Sequence, residues 1–169
     1  MTSLVALSVS IGVLGFVATW LALGPLAGIF VIWIGFVAWA TYFATGGNNA
    51  ALKTTIVCGI WGAICAWVAG LILANVAVEL PANLWPAIVV GVTVLILCLG
   101  AHVEALSNIP AAVYGYATMA ALMLSGAMDN AHLLAASFNN PLIVDVVSII
   151  IGAIFGLLSG KLAGALGKS

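Results

Sequence analysis

The chain has 169 residues, of which 66% are hydrophobic and only 4% are charged. Soluble domains carry about 25% charged residues, so three Lys, two Asp and two Glu could not cover a water-soluble surface. This balance excludes a water-soluble protein, leaves no basic patch for nucleic acid, and predicts an all-α integral membrane protein in a lipid bilayer.

Six apolar runs of nearly the length needed to cross a bilayer follow one another along the chain. They predict spans over residues 4–23, 27–44, 54–74, 85–105, 109–125 and 142–166. The first run lacks a positive segment before it and is longer than a typical signal peptide core, so we expect a retained span. Gly24-Pro25 and the Pro110 region divide neighbouring spans into hairpins, because proline interrupts a helix.

The lysines predict the orientation. Lys53 follows the second span, and Lys161 and Lys168 lie at the C-terminal end. With six spans these positions and both termini share one side, which the positive-inside rule assigns to the cytoplasm. Glu79 and Asp129 then lie in outer loops.

Similar segments recur in the same order in the two halves of this single domain. Gly62–Gly70 (GAICAWVAG) matches Gly152–Gly160 (GAIFGLLSG), and Ala40-Thr41 matches Ala117-Thr118. The order predicts a duplication, with one repeat over about residues 4–77 and the other over about 85–167. Three spans per repeat force opposite orientations, which predicts a 3+3 inverted-topology repeat with a site near the midplane.

Paired asparagines precede the third and the sixth span: Asn48-Asn49 and Asn139-Asn140. One interpretation is structural, because Asn caps helices and stabilises turns. The other makes them the polar lips of a solute pathway at opposite membrane faces, and the two interpretations are compatible.

The sixth span carries Gly152, Gly156, Gly160 and Gly164 at four-residue spacing. One helix face is therefore free of side chains and allows another backbone to approach closely. The third span or another subunit could pack there. Because a chain this small has few helices to enclose a pore, we expect a homo-oligomer.

Ionisable groups inside a membrane are functional candidates, because lipid penalises them. His102 and Glu104 end the predicted fourth span, where they form either a hydrated cluster or a proton-sensitive gate, with Asn108 within reach of Glu104. Asp145 either complements the dipole at the start of the sixth span or faces a pathway with Asn139, Asn140 and Ser148.

The fifth span offers two weaker candidates, Tyr114 and Thr118, which packing alone could also explain. The three cysteines lie in apolar runs and are expected to be buried thiols. Neither a metal nor any other cofactor is expected, and the motifs of common enzymes are missing from the sequence. Without Arg, an anionic substrate is disfavoured.

Two stretches, AWATYFATGGNNAALK and LSNIPAAVYGYATMAALMLSG, resemble the YcdZ-like family of small bacterial inner-membrane proteins of unknown function. The resemblance rests on Thr41, Tyr42, Phe43, Ala44, Gly46, Gly47, Leu52, Lys53, Leu106, Ser107 and Pro110. It implies a small multi-pass protein of the bacterial inner membrane and no particular activity. A shorter stretch, FNNPL at residues 138–142, is similar to urea transporters.

We therefore expect a channel or facilitator for a small neutral polar solute such as urea, an amide or ammonia. Two alternatives stay open. One is a proton-coupled small-solute transporter that depends on Glu104 or Asp145. The other is a non-transporting membrane subunit that packs on a partner through the glycines of its last helix.

Overall fold

The computed structural model describes residues 1–81, 83–126 and 130–167. Within these ranges every regular element is helical: α1 (Ser3–Leu23), α2 (Ile32–Ala44), α3 (Asn49–Asn75), α4 (Leu84–Leu99), α5 (Ile109–Leu124) and α6 (Pro141–Leu166). Short 3-10 turns cover Gly100–His102, Glu104–Leu106 and Asn130–His132. Asp129 and Lys168, which contributed to the predicted orientation, lie outside the described residues.

The six helices differ in length. Four segments are long and apolar enough to cross a membrane: α1, α3, α6 and Leu84–His102, which contains α4. α2 and α5 are apolar but have only 13 and 16 residues, short of the roughly 20 that a perpendicular crossing needs. The protein is a helical membrane protein with four segments of crossing length, one of which is α4 extended by the turn Gly100–His102, and with two shorter apolar helices.

α3 and α6 lie at the centre of the bundle. α3 packs mainly on α5 and also contacts α6 and α4, whereas α6 packs mainly on α2 and also contacts α1 and α3. α1 and α4 lie outermost and expose large apolar side chains such as Phe16 and Leu95. In a membrane such faces meet lipid without penalty, so the polar contacts of interest lie between the inner helices.

α2 begins at Ile32, whereas the sequence predicted a helix from residue 27. Gly28 has a φ of +79°, which a continuous helix does not allow. The chain then runs extended, and the Val31 N–H donates to the Ser148 hydroxyl at 2.9 Å. A tertiary hydrogen bond thus satisfies the backbone group that a longer helix would have used.

α4 ends at Leu99, whereas the sequence predicted a helix through residue 105. The Trp61 indole N–H donates to the Leu97 carbonyl at 3.1 Å and satisfies one of the last carbonyls of the helix. Two 3-10 turns follow, separated by Val103 in an extended conformation. His102 and Glu104 therefore lie in different turns and do not share a helix, contrary to the prediction.

Glycines allow two close helix–helix contacts. A Cβ on Gly62 of α3 would overlap the Ala112 carbonyl of α5, and a Cβ on Gly152 of α6 would overlap the Gly35 carbonyl of α2. Backbones in van der Waals contact are typical of small-residue packing in membranes. These two contacts set the distance between each central helix and its short neighbour.

Candidate functional site

A small cavity lies where the four inner helices meet. Its volume is about 10 Å³, close to the space that one water molecule needs. The polar part of its lining consists of three buried threonines, Thr41 of α2, Thr55 of α3 and Thr118 of α5. The other lining residues are apolar, small or aromatic: Val37, Ala38, Gly59, Ala111, Tyr114, Gly115 and Ile149. We call this space the central cavity.

The three threonine hydroxyls differ in their hydrogen bonds. Thr41 donates to the Val37 carbonyl at 2.7 Å, and Thr118 donates to the Gly115 carbonyl at 2.9 Å. The Thr55 hydroxyl has no partner within the described part of the chain, although Thr55 is only 1% exposed. A buried polar group without a partner is costly, so this hydroxyl is available to a water or solute in the cavity.

Asp145 lies beside the central cavity and is fully buried. Its Oδ2 is 3.4 Å from the Thr118 hydroxyl, and its Oδ1 has no hydrogen-bond partner among the described residues. Within the described residues, the Asp145 carboxyl makes no hydrogen bond to Asn139, Asn140 or Ser148, contrary to the expected pathway. Of the predicted site residues, Asp145 contacts Thr118, and Thr118 and Tyr114 line the same cavity.

A wider polar cavity opens at the start of α3. Its volume is about 510 Å³, and we call it the vestibule. Lys53, Thr54 and Cys58 of α3 face the segment that joins α4 to α5, from which Glu104 and Asn108 contribute. Val103, Ala105 and Ser107 of the same segment and Ala50 of α3 complete the lining of the vestibule. Asn108 also caps α5, because its Oδ1 accepts from the Ala111 N–H at 3.0 Å.

The segment between α1 and α2 is packed differently, and we call it the sealed end. Phe30 is only 2% exposed, and its ring lies over Gly35, where an added Cβ would come within 2.6 Å of it. Ser148 holds the adjacent Val31 N–H and itself donates to the Val144 carbonyl at 2.7 Å. The Ser148 hydroxyl is therefore fully engaged in structure.

One asparagine of each pair caps the helix that follows it, α3 or α6. Asn48 caps α3 by accepting from the Ala51 N–H at 2.9 Å, and Asn140 caps α6 by accepting from the Leu142 N–H at 2.9 Å. The Asn140 amide also donates to the carbonyls of Leu133 and Ala135, which ties down the preceding loop. Asn49 and Asn139 are exposed, and none of the four lines the central cavity or the vestibule. His102 is exposed and lies outside both cavities as well.

The glycines of α6 face α2, which was not among the partners expected for them. Gly152 contacts Gly35, and a Cβ on Gly156 would come within 2.8 Å of the Tyr42 ring. At Gly160 the nearest Tyr42 and Phe43 atoms lie at ordinary distances, and Gly164 has open space around it. Most of this small-residue face is thus occupied within the chain.

Sequence analysis missed Thr41 and Thr55 as candidates. A lone hydroxyl in an apolar helix usually bonds its own backbone, so composition alone does not single it out. The predicted duplication contained the missing signal. Matching Ala40-Thr41 to Ala117-Thr118 pairs Thr41 with Thr118, and matching the Gly-Ala-Ile segments pairs Thr55 with Asp145.

The family model described as "Protein of unknown function (DUF1097)" matches residues 8–164. Neither a curated protein nor a solved structure matched the chain. The similarity to urea transporters therefore stays a prediction from five residues. Because the match covers nearly the whole chain, the protein belongs to the DUF1097 family.

Proposed function

We propose that the protein carries a small neutral polar solute across the bacterial inner membrane, through the interface between two inverted halves. The observation that carries this proposal is the central cavity, with three buried threonines and one unpaired hydroxyl where the halves meet. Hydroxyl groups can both donate and accept, so they can replace part of the hydration shell of urea, an amide or ammonia.

The packing order supports an inverted repeat. The third helix of each half packs on the first two helices of the other half, so exchanging the halves leaves the order of contacts unchanged. Single residues show the same correspondence between the two proposed halves. The match that pairs Gly62 with Gly152 also pairs Cys58 with Ser148, and each of these two side chains bonds the irregular segment of the other half.

The short helices also support a transport site. α2 and α5 occupy corresponding positions in the halves, and each follows an irregular segment. Non-helical backbone is tolerated at membrane depth where protein buries it or where it lines a cavity. A pair of short, interrupted apolar segments is the sequence feature that points to the binding site of transporters with inverted repeats.

The proposal keeps both termini in the cytoplasm, which places the vestibule on the inner side. It also revises the roles expected from the sequence. One asparagine of each pair, Asn48 or Asn140, acts as a cap. Thr41, Thr55 and Thr118 form the site. A homo-oligomer remains a prediction, to be tested by light scattering of the purified protein. The partner-subunit alternative is less well supported, because α2 already occupies Gly152 and Gly156.

Solute flux into proteoliposomes tests the proposal. Stopped-flow light scattering with urea, acetamide, glycerol and methylammonium gradients should reveal selective fast equilibration of one of these solutes. Thr55→Val should abolish the fast phase while leaving the fold as stable or more stable, because it removes a buried hydroxyl without a partner.

Thr93→Val is the matched control. Thr93 is a buried threonine of α4 whose hydroxyl lies 2.9 Å from the Tyr116 hydroxyl, outside the central cavity. Its replacement should lower stability by about 1 kcal/mol and leave the flux unchanged. Normal flux through Thr55→Val, or no flux through the intact protein with any of these solutes, would contradict the proposed function.

A further inference from the structure

Asp145 lacks the partners that an ionised carboxylate requires inside a membrane. The side chain is 0% exposed, Oδ1 has no partner among the described residues, and Oδ2 has only the Thr118 hydroxyl at 3.4 Å. Placing a bare negative charge there would be expensive, and a buried carboxyl without a cation normally takes up a proton.

The geometry around Thr118 favours the same state. Its hydroxyl has one proton and lies nearer to the Gly115 carbonyl, at 2.9 Å, than to Asp145 Oδ2, at 3.4 Å. If the proton goes to the nearer oxygen, the Asp145 carboxyl faces oxygen lone pairs. A protonated carboxyl can donate to these lone pairs, whereas an ionised one is repelled by them.

The helices packed against α6 supply no ion pair for Asp145. α1 has no ionisable side chain, and those of α2, α3 and α5 are Tyr42, Lys53, Cys58, Cys65, Tyr114 and Tyr116. Lys53, the only cation among them, is exposed at the vestibule, and Tyr114 lines the central cavity beside Thr118. Lys161 on α6 itself lies more than four helical turns away along the chain.

Residues that line the vestibule and residues that line the central cavity adjoin each other on α3. Thr54 lines the vestibule, and its neighbour Thr55 lines the central cavity with a free hydroxyl. The cavity has room for about one water, and Thr118 lies on its wall in contact with Asp145. Hydroxyl groups and a water in this order can pass a proton between aqueous solution and the carboxyl.

We infer that Asp145 is a proton-binding site next to the central cavity and that it couples solute movement to protons. A hydronium ion in the vestibule gives its proton to the carboxylate, which forms the carboxyl O–H and leaves water. The carboxyl returns the proton to water when the cavity opens to the other side. The coupling rests on the proposed function, whereas the proton-binding site can be tested separately.

Infrared spectroscopy of the full-length protein in lipid tests the site directly. The C=O stretch of a buried protonated carboxylic acid should be present near neutral pH and lost in Asp145→Asn. It should be unchanged in Glu79→Gln, which alters an exposed acid in the connection between α3 and α4. A wild-type spectrum without this band at every pH at which the protein is folded would overturn the inference, even if solute flux is normal.

Coupling is tested in the same proteoliposomes with an internal pH dye and a gradient of the solute that equilibrates fastest. Solute uptake should bring protons with it, and this proton signal should be lost in Asp145→Asn. A proton signal that persists in Asp145→Asn would overturn the coupling. If the infrared band depends on Asp145 but no solute moves, the proton site is supported and the proposed function fails.

Discussion

The two irregular segments, residues 24–31 and 100–108, are packed in opposite ways. Each follows an outer helix, α1 or α4, and precedes an inner helix of 13 or 16 residues, α2 or α5. The first buries Phe30 and bonds its backbone to Ser148. The second bonds its backbone to Cys58 in a similar place, but its Glu104 is exposed at the vestibule.

The difference shows how one irregular segment can close one end of a bundle while another leaves the other end open. Phe30 fills the space above Gly35 at the sealed end, whereas the vestibule retains a volume of about 510 Å³. A carrier that opens alternately to the two sides requires such an asymmetry at any instant. Changing the contacts that maintain the asymmetry should therefore change access first and stability second.

The largest effect is expected from Phe30→Ala, which removes the ring that fills the sealed end. Loss of a buried aromatic ring costs about 3–5 kcal/mol in protein cores. In a background without the three native cysteines, Ser148→Cys should resist a small thiol reagent and become reactive when Phe30→Ala is added. Ser107→Cys, at the exposed vestibule wall, should react in both cases.

The control for this experiment is Phe16→Ala on α1, whose ring is 74% exposed on the lipid-facing side. It should change neither stability nor labelling. Equal protection of Ser148→Cys with and without Phe30 would show that this ring does not close the end of the bundle.

A smaller effect is expected from Gly152→Ala, which forces α2 away from α6. The added methyl group would overlap the Gly35 carbonyl, and overpacking of this kind costs about 1–3 kcal/mol. Gly164→Ala on the same helix is the matched control, since nothing lies within 4 Å of its Cβ position. Thermal unfolding in detergent should separate the two variants, and equal stability would contradict the packing described for α2 and α6.

Replacing the two capping asparagines compares the starts of α3 and α6 through smaller changes in stability. Asn48→Ala should cost about 1 kcal/mol through loss of a cap. Asn140→Ala should cost about 2 kcal/mol, because the Leu133 and Ala135 carbonyls also lose their donor. Neither change should slow solute flux at a temperature where the protein stays folded. A large flux defect in a stably folded Asn48→Ala protein would restore the asparagine to the pathway.

The smallest effect is expected from His102→Ala near the vestibule. His102 is exposed and does not line the vestibule, so stability should change by less than about 0.5 kcal/mol. Flux measured on both sides of neutral pH should match the wild-type protein. A pH response that disappears with this substitution would move proton sensing from Asp145 to His102.

Local signals predicted much of the helical order. The starts of α5 and α6 lie within one residue of the prediction, because apolar runs and capping asparagines act over one turn of the chain. α3 begins at Asn49, five residues before the predicted start at residue 54. The predicted start of α2 and the predicted end of α4 were wrong, because the Val31 N–H donates to the Ser148 hydroxyl and the Trp61 indole N–H donates to the Leu97 carbonyl. Both partners are remote in sequence, so no local pattern could reveal them.

By itself, the sequence determined that this is a helical membrane protein, because composition and the length of the apolar runs follow from the amino acids alone. Only the tertiary structure decided which polar groups meet. Thr41, Thr55 and Thr118 come from three helices and gather around one cavity, with Asp145 beside it. The physical reason is that a hydroxyl in an apolar helix usually bonds its own backbone, so its neighbours on other helices are decided only when close glycine contacts bring those helices within reach.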